Sequence, residues 1–191
     1  MFGLRRDTLK IEAPRLVLRL PRLSDHIDWV RLRREGRDFI EPWEPAWSGD
    51  HFTRSAFRSR VSWSRQAARD GRALPLFLER REDGALLGAI TLDHIRMGPA
   101  KSGTVGYWIG EPFARQGYMA EALDALVDHA FHRMSLSRID AACLEENAAS
   151  RALLARCGFE QVGRAPAYLE IAGRWRTHLL FARLREDRRE G

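Results

Sequence analysis

The sequence predicts a mixed α/β domain of the α+β kind, a sheet with helices packed on it. Three observations lead there. Stretches with apolar residues at every second position alternate with stretches where they recur every three or four. Their order reads β–α–α–β–β–β–α–β–α–β–β, antiparallel neighbours first and strand–helix–strand units later. No linker, repeat or low-complexity tract divides the 191 residues, which suit one domain with a core over about 12–185 and a disordered tail at 186–191.

Arg15 to Leu20 alternates, with Leu16, Leu18 and Leu20 on one face, and Pro21 stops it. Ser24 is a capping type for a helix carrying Ile27, Trp29 and Val30. A polar and aromatic stretch runs from Phe39 to His51. Thr53 opens a second helix through Phe57, Val61 and Ala68, closed near Gly71. Leu74, Leu76 and Leu78 alternate, Asp83 and Gly84 signal a turn, and Ala85 to Ile95 returns as the partner strand. Thr104 to Ile109 is a further strand. Met119, Leu123, Leu126, Val127, Ala130, Phe131 and Met134 then recur at helical spacing. Arg138 to Leu144 reads as a strand and Ala148 to Cys157 as a short helix ended by Gly158. A hairpin follows: Phe159 to Ile171, a turn at Ala172 and Gly173, and Trp175 to Leu184.

Apolar residues at 45% and charged residues at 30% exclude wholesale disorder, collagen-like repeats and disulfide scaffolds. Ala85 to Leu92 is among the longest apolar runs, far below the ~20 residues of a membrane span, so no membrane partner is expected. Met1 to Lys10 carries charge and no apolar stretch, unlike a secretory leader. Cys143 and Cys157 lie in apolar surroundings with no Cys-x-x-Cys, which reads as buried thiols in a reducing cytoplasm. The formal charge is +6, and all basic residues except Lys10 and Lys101 are arginines. Scattered arginines fit either genome composition or an RNA- or phosphate-rich partner.

The sharpest local feature is a strand-to-helix junction. Gly106, Tyr107, Trp108, Ile109 and Gly110 end a strand, and Gln116, Gly117, Tyr118, Met119 and Ala120 open the long helix. A glycine there admits close approach by a ligand, and the free N–H groups of a first helical turn favour an anion such as a pyrophosphate. Ordinary turn geometry is the other reading. No Gly-Lys-Ser/Thr follows, and the three-glycine dinucleotide spacing is absent. Asn147 and Ser150 follow a strand; both are capping types. His129 and His132 share a helix face without a third ligand in reach, so no metal is expected.

With these residues in view, the chain resembles the GNAT superfamily of acetyl-CoA-dependent N-acetyltransferases, and within it the ribosomal-protein-alanine branch. The resemblance covers Arg15 to Leu184. It rests on Phe39-Ile40-Glu41-Pro42-Trp43-Glu44-Pro45, on Gly106-Tyr107-Trp108, and on Gly117-Tyr118-Met119-Ala120-Glu121-Ala122. It continues through Asn147, Ser150, Gly158 and Phe159 to Tyr168-Leu169 and Gly173-Arg174-Trp175-Arg176-x-His178. The helix-opening loop is widespread in the superfamily; the first and last runs are narrower. Two departures stand out. Ala114 and Arg115 occupy the usual Gln/Arg-Gly positions, with Met119 at the last small position. Ala167 stands near where a related branch has a carboxylate.

The resemblance implies a twisted, mostly antiparallel sheet splayed between two strands, with helices on both faces. It implies acetyl-CoA as cosubstrate, bound by Tyr107, Trp108, Ile109, Arg115, Gln116, Gly117, Tyr118, Met119, Ala120 and Asn147. A backbone N–H near Trp108 or Ile109 would polarise the thioester carbonyl. Ser150 would donate a proton to the leaving sulfur, with Tyr168 as a second donor candidate; capping and strand packing are their structural alternatives. Glu41, Trp43 and Glu44 would receive a cationic peptide N-terminus, by charge and cation–π contact, or else form a rigid Pro-bounded loop. The acceptor implied is a protein N-terminal α-amine, that of a ribosomal protein, with ribosomal RNA nearby. The alternatives are a small amine, such as a drug or polyamine, or a non-catalytic domain binding RNA or acyl-CoA. The assembly state is left between monomer and homodimer.

Overall fold

The computed structural model describes residues 9–188. In chain order these form β1 (Lys10–Glu12), β2 (Leu16–Arg19), α1 (His26–Glu35), α2 (Arg37–Ile40), α3 (Arg54–Asp70), β3 (Leu74–Arg80), β4 (Leu86–Arg96) and β5 (Ser102–Ile109). There follow α4 (Tyr118–His132), β6 (Arg138–Leu144), α5 (Ala148–Arg156), β7 (Glu160–Ile171) and β8 (Arg174–Leu184). The strands make one sheet in the order β1-β2-β3-β4-β5-β6-β8-β7. Hairpin-connected neighbours pair antiparallel. β5 and β6 pair parallel, because α4 carries the chain across the face between them.

That parallel seam positions the site. Pairing runs from Ser102↔Arg138 to Val105↔Ala141 and stops there. Yet β5 stays on β4 as far as Gly88↔Ile109, and β6 stays on β8 as far as Leu144↔His178. The sheet is therefore mostly antiparallel and splays between β5 and β6.

Both faces are covered. On one, α4 buries Met119, Ala122, Leu123, Leu126, Val127, Ala130 and Phe131 in a core shared with Leu76, Ile90, Leu92, Ile139 and Phe181. Burying a leucine such as Leu123 fully contributes ~2 kcal/mol. On the other face, α1 and α3 bring Trp29, Leu32, Phe57 and Val61 onto Phe77, Leu86 and Ala89. Thr53 caps α3 by accepting from the Ala56 N–H at 3.2 Å, and left-handed Gly71 ends it.

Ser24 does not cap α1. Leu23–Asp25 form a 3-10 turn, and buried Asp25 accepts from the Arg22 N–H (2.7 Å) and two N–H groups of Arg19 (2.8 Å each). Arg19 is itself buried, and its charge needs that carboxylate and Glu79. β1 and α2 go unread in the sequence because they are too short to show a period. At the C-terminal end Glu186–Arg188 form a 3-10 turn, with Arg185 holding Asp187 at 2.6 Å. The rest of the expected tail, 189–191, and most of the leader reading at Met1 to Lys10 fall outside the described residues. Among the described residues no helix is long and apolar enough to cross a membrane.

Candidate active site

The junction between β5 and α4 has the geometry of an anion cradle. Gly117 is the N-cap of α4 at φ 81°, a left-handed conformation that favours glycine, and no side chain caps the helix. The Glu121 N–H is the first to return to Gly117 O, so the preceding amides of the turn are left for a ligand. Met119 keeps its side chain in the core, 7% exposed.

Arg15 fastens this turn. Its Nε donates to Glu121 Oε2 at 2.7 Å, its backbone N–H to Glu121 Oε1 at 2.6 Å, and its Nη1 to Gln116 O at 3.1 Å. Its guanidinium also lies 4.4 Å from the centre of the Tyr118 ring. No local pattern marks Arg15, because its partners lie across the fold. Gln116 turns back, donating to Pro112 O at 2.7 Å, and Arg115 takes φ 60°.

A cavity of about 1550 Å³ runs from this turn, through the splay, to the helices of the other face. Gly110 N–H donates to Leu87 O at 2.8 Å, so Ile109 and Gly88 are a non-hydrogen-bonded pair. The alternation of the strand therefore turns the Ile109 N–H, and that of Tyr107, away from β4 and into the opening. The Trp108 N–H points back to β4. Of the amides expected near Trp108 or Ile109, it is Ile109 that faces the gap.

Across the opening, Tyr107 Oη and Ser150 Oγ are 2.8 Å apart. Burial pushes the Tyr107 phenol and the Cys143 thiol up, so both stay protonated. Asn147 caps α5, its Oδ1 accepting from the Ser150 N–H at 3.0 Å. The capping reading therefore holds for Asn147, whose amide nitrogen stays available, and leaves the Ser150 hydroxyl to Tyr107.

The acidic and aromatic loop is arranged differently from its simplest reading. Both Glu44 oxygens accept from Arg33, and Oε2 also accepts from Trp47 Nε1 at 2.9 Å. Arg33, nearly inaccessible, lies 4.7 Å from the Trp47 ring, 4.8 Å from Trp108 and 5.5 Å from Trp29. Glu41 is off the cavity wall, paired with Arg37 at 2.6 and 2.9 Å, which holds its carboxyl below the usual range. The two carboxylates thus face arginines. Trp43 does line the cavity, partly exposed. His51 stacks on Trp47 at 5.1 Å, and burial with the nearby Arg33 and Arg60 charges lowers it to about 4. Tyr168 is 44% exposed and outside the cavity lining, whereas buried His178, 5.5 Å from its ring, lines the cavity. Arg33 and His51 carry no motif of their own and acquire their surroundings only through the fold; His178 closes the Gly173-Arg174-Trp175-Arg176-x-His178 run, which marks the family but assigns the residue no role. Among the described residues no group of three or more His, Cys, Asp or Glu could hold a metal ion.

A family model described as an acetyltransferase (GNAT) domain matches residues 15–160. The chain belongs to the GNAT acetyltransferase family. This acetyltransferase is 32% identical over 184 residues to the [ribosomal protein uS5]-alanine N-acetyltransferase of Escherichia coli, covering 95% of each chain. It is 28% identical over 165 residues to the probable N-acetyltransferase YjcK of Bacillus subtilis, covering 86% of this chain and 91% of that one. Mycobacterium smegmatis RimJ, solved in complex with CoA-disulfide, superposes with a TM-score of 0.87 at 34% identity over 96% of this chain and 90% of that one. The Vibrio fischeri ribosomal-protein-S5-alanine acetyltransferase gives 0.86 at 26% identity, over 95% and 100%. The protein is an N-acetyltransferase with the GNAT fold.

Proposed function

We propose that this enzyme transfers acetyl from acetyl-CoA to the α-amine of a protein N-terminus, that of a ribosomal protein, by direct attack. The observation that carries the proposal is one continuous cavity joining the free amides of the α4 turn, the splay between β5 and β6, and the Trp- and Arg-lined pocket beyond. Among relatives of matching length, the Escherichia coli protein is named a [ribosomal protein uS5]-alanine N-acetyltransferase, and Mycobacterium smegmatis RimJ was solved in complex with CoA-disulfide. Ribosomal proteins are made in the cytoplasm, and the +6 charge suits work beside RNA.

Acetyl-CoA supplies the activated acyl group. The α4 turn holds its pyrophosphate, and the opening takes the pantetheine arm, with the Asn147 amide nitrogen as donor. The Ile109 N–H, which faces the opening, would be the donor to the thioester oxygen, where a donor to developing charge contributes ~3 kcal/mol. The Ser150 hydroxyl, backed by Tyr107, protonates the departing sulfur. Trp43, Trp47 and Trp108 form the wall for the acceptor backbone, and Arg33 with Glu44 keeps that wall rigid. An α-amine with pKa near 8 is partly neutral at pH 7, so it can attack once a proton acceptor is at hand.

Mass spectrometry of a panel of N-terminal peptides incubated with acetyl-CoA tests this reading. One acetyl gained at the α-amine is expected, with alanine-starting ribosomal sequences preferred. Acetylation of polyamines or drugs in place of every peptide overturns it.

A further inference from the structure

We propose that the imidazole of His178 is the proton acceptor for the attacking amine, acting through Nε2. The inference rests on the direct-attack reading above.

His178 stands in β8 where the opening ends. It is paired with Leu144, the last residue of β6, and with Ala165 of β7. Its neighbours Leu179 and Phe181 belong to the core under α4, so the alternation of the strand sends the His178 ring to the other face. That is the face Trp108 shares, the acceptor side of the splay. The ring is 3% exposed and lines the cavity.

Its chemistry is set by one hydrogen bond. Nδ1 lies 3.0 Å from Arg176 O. A carbonyl oxygen only accepts, so Nδ1 carries the hydrogen and Nε2 keeps its lone pair in the neutral ring. β7 holds the ring in place through an irregularity. Between Ala165↔His178 and Leu169↔Arg176, β7 spends more residues than β8, Ala167 takes φ 47°, and Tyr168 returns its ring to 5.5 Å from His178. Tyr168, a donor candidate on sequence, is thereby a positioning residue for His178.

Other groups on the cavity wall are less suited to accept a proton. Glu44 is engaged by Arg33 and Trp47, and Glu146 by Arg176. Tyr107 and Cys143 stay protonated, and burial with the Arg33 and Arg60 charges lowers His51 to about 4, too weak a base to hold a proton near neutral pH. Asp38 is exposed on α2.

The step balances as follows. The amine nitrogen bonds to the acyl carbon, and the C–S electron pair leaves on sulfur. The proton displaced from nitrogen passes to His178 Nε2. The thiolate takes a proton from the Ser150 hydroxyl, and the imidazolium returns one to that oxygen through solvent. No oxidant or metal enters.

The test has two arms. Nitrogen NMR of the histidine rings in the wild-type protein is expected to show His178 protonated on Nδ1 and bare on Nε2; the opposite tautomer overturns the proposal. In His178→Ala and His178→Gln, kcat for the best peptide is expected to fall about 100-fold or more, with CoA affinity within about twofold and peptide KM within about threefold. Added imidazole restores part of kcat in His178→Ala. A folded variant with kcat within threefold of wild type overturns the proposal, as does loss of kcat in Asp38→Asn instead. Peptide acetylation by the wild type, measured first, separates failure of this inference from failure of the acceptor assignment.

Discussion

At the scale of single residues, the structure separates neighbours that share a sequence context. Asn147 and Ser150 both look like caps, yet Asn147 alone does the capping, while the Ser150 hydroxyl meets Tyr107. Asn147→Ala is therefore expected to cost ~1 kcal/mol of stability in denaturant unfolding. Ser150→Ala is expected to leave stability and CoA affinity nearly unchanged and to lower kcat about 10- to 100-fold. Wild-type turnover in Ser150→Ala ends its role as donor. Glu44 presents the opposite case. Its partner Arg33 has a side chain only 5% exposed. Removing the carboxylate strands a buried charge, and Glu44→Ala is expected to cost ~3 kcal/mol, read as a shift in the urea midpoint. A binding role for Glu44 would instead raise peptide KM with stability intact. The loop acids were visible in the sequence as chemistry, but their partners were not. Arg33 reaches Glu44 only because α1 and the following turns fold back past Trp47.

At the scale of elements, most of the architecture was legible. Alternation marked β2 and β3 and helical spacing marked α3 and α4, because each buries a face in one of the two cores; β4 to β6, β8, α1 and α5 were read from apolar runs, caps and turns, and β7, exposed along nearly all its length, from the turn that pairs it with β8. The three residues of β1 and four of α2 bury too little to leave a pattern. The cradle was legible as a glycine before a long helix; its fastening was not, since Arg15 and Glu121 are joined by topology alone. Arg15→Ala is expected to raise the CoA dissociation constant about 5-fold by calorimetry, with a small change in melting temperature; unchanged affinity would show that the turn holds its shape unaided. Gly88 tests the close β4–β5 contact that holds the Ile109 amide in place. A Cβ there would sit 2.4 Å from Trp108 O and 2.9 Å from Ile109 Cα. Gly88→Ala must push β4 off β5 beside the Ile109 amide that faces the opening. It is expected to lower kcat more than 10-fold and to destabilise the fold by ~2 kcal/mol, measured by peptide assay and urea unfolding.

For the molecule as a whole, the cavity wall couples stability to acidity. His51 is held near 4 in the folded state against about 6.5 unfolded, so the unfolded chain binds more protons between those values. Stability should fall as pH drops from about 6.5 toward about 4, and His51→Phe, which keeps the stack on Trp47, should flatten that part of the melting profile. An unchanged slope in His51→Phe would assign the effect to other groups. The sheet adds a second whole-molecule property. Its two halves are zipped directly along one short stretch, Ser102 to Val105 against Arg138 to Ala141. A thioester carrier lying in the unzipped part, as proposed above, would bridge the two halves where no strand pairing joins them. Amide exchange in β6 and β8 should slow on adding CoA, well beyond the residues it touches, so that the cosubstrate serves as part of the scaffold as well as the fuel.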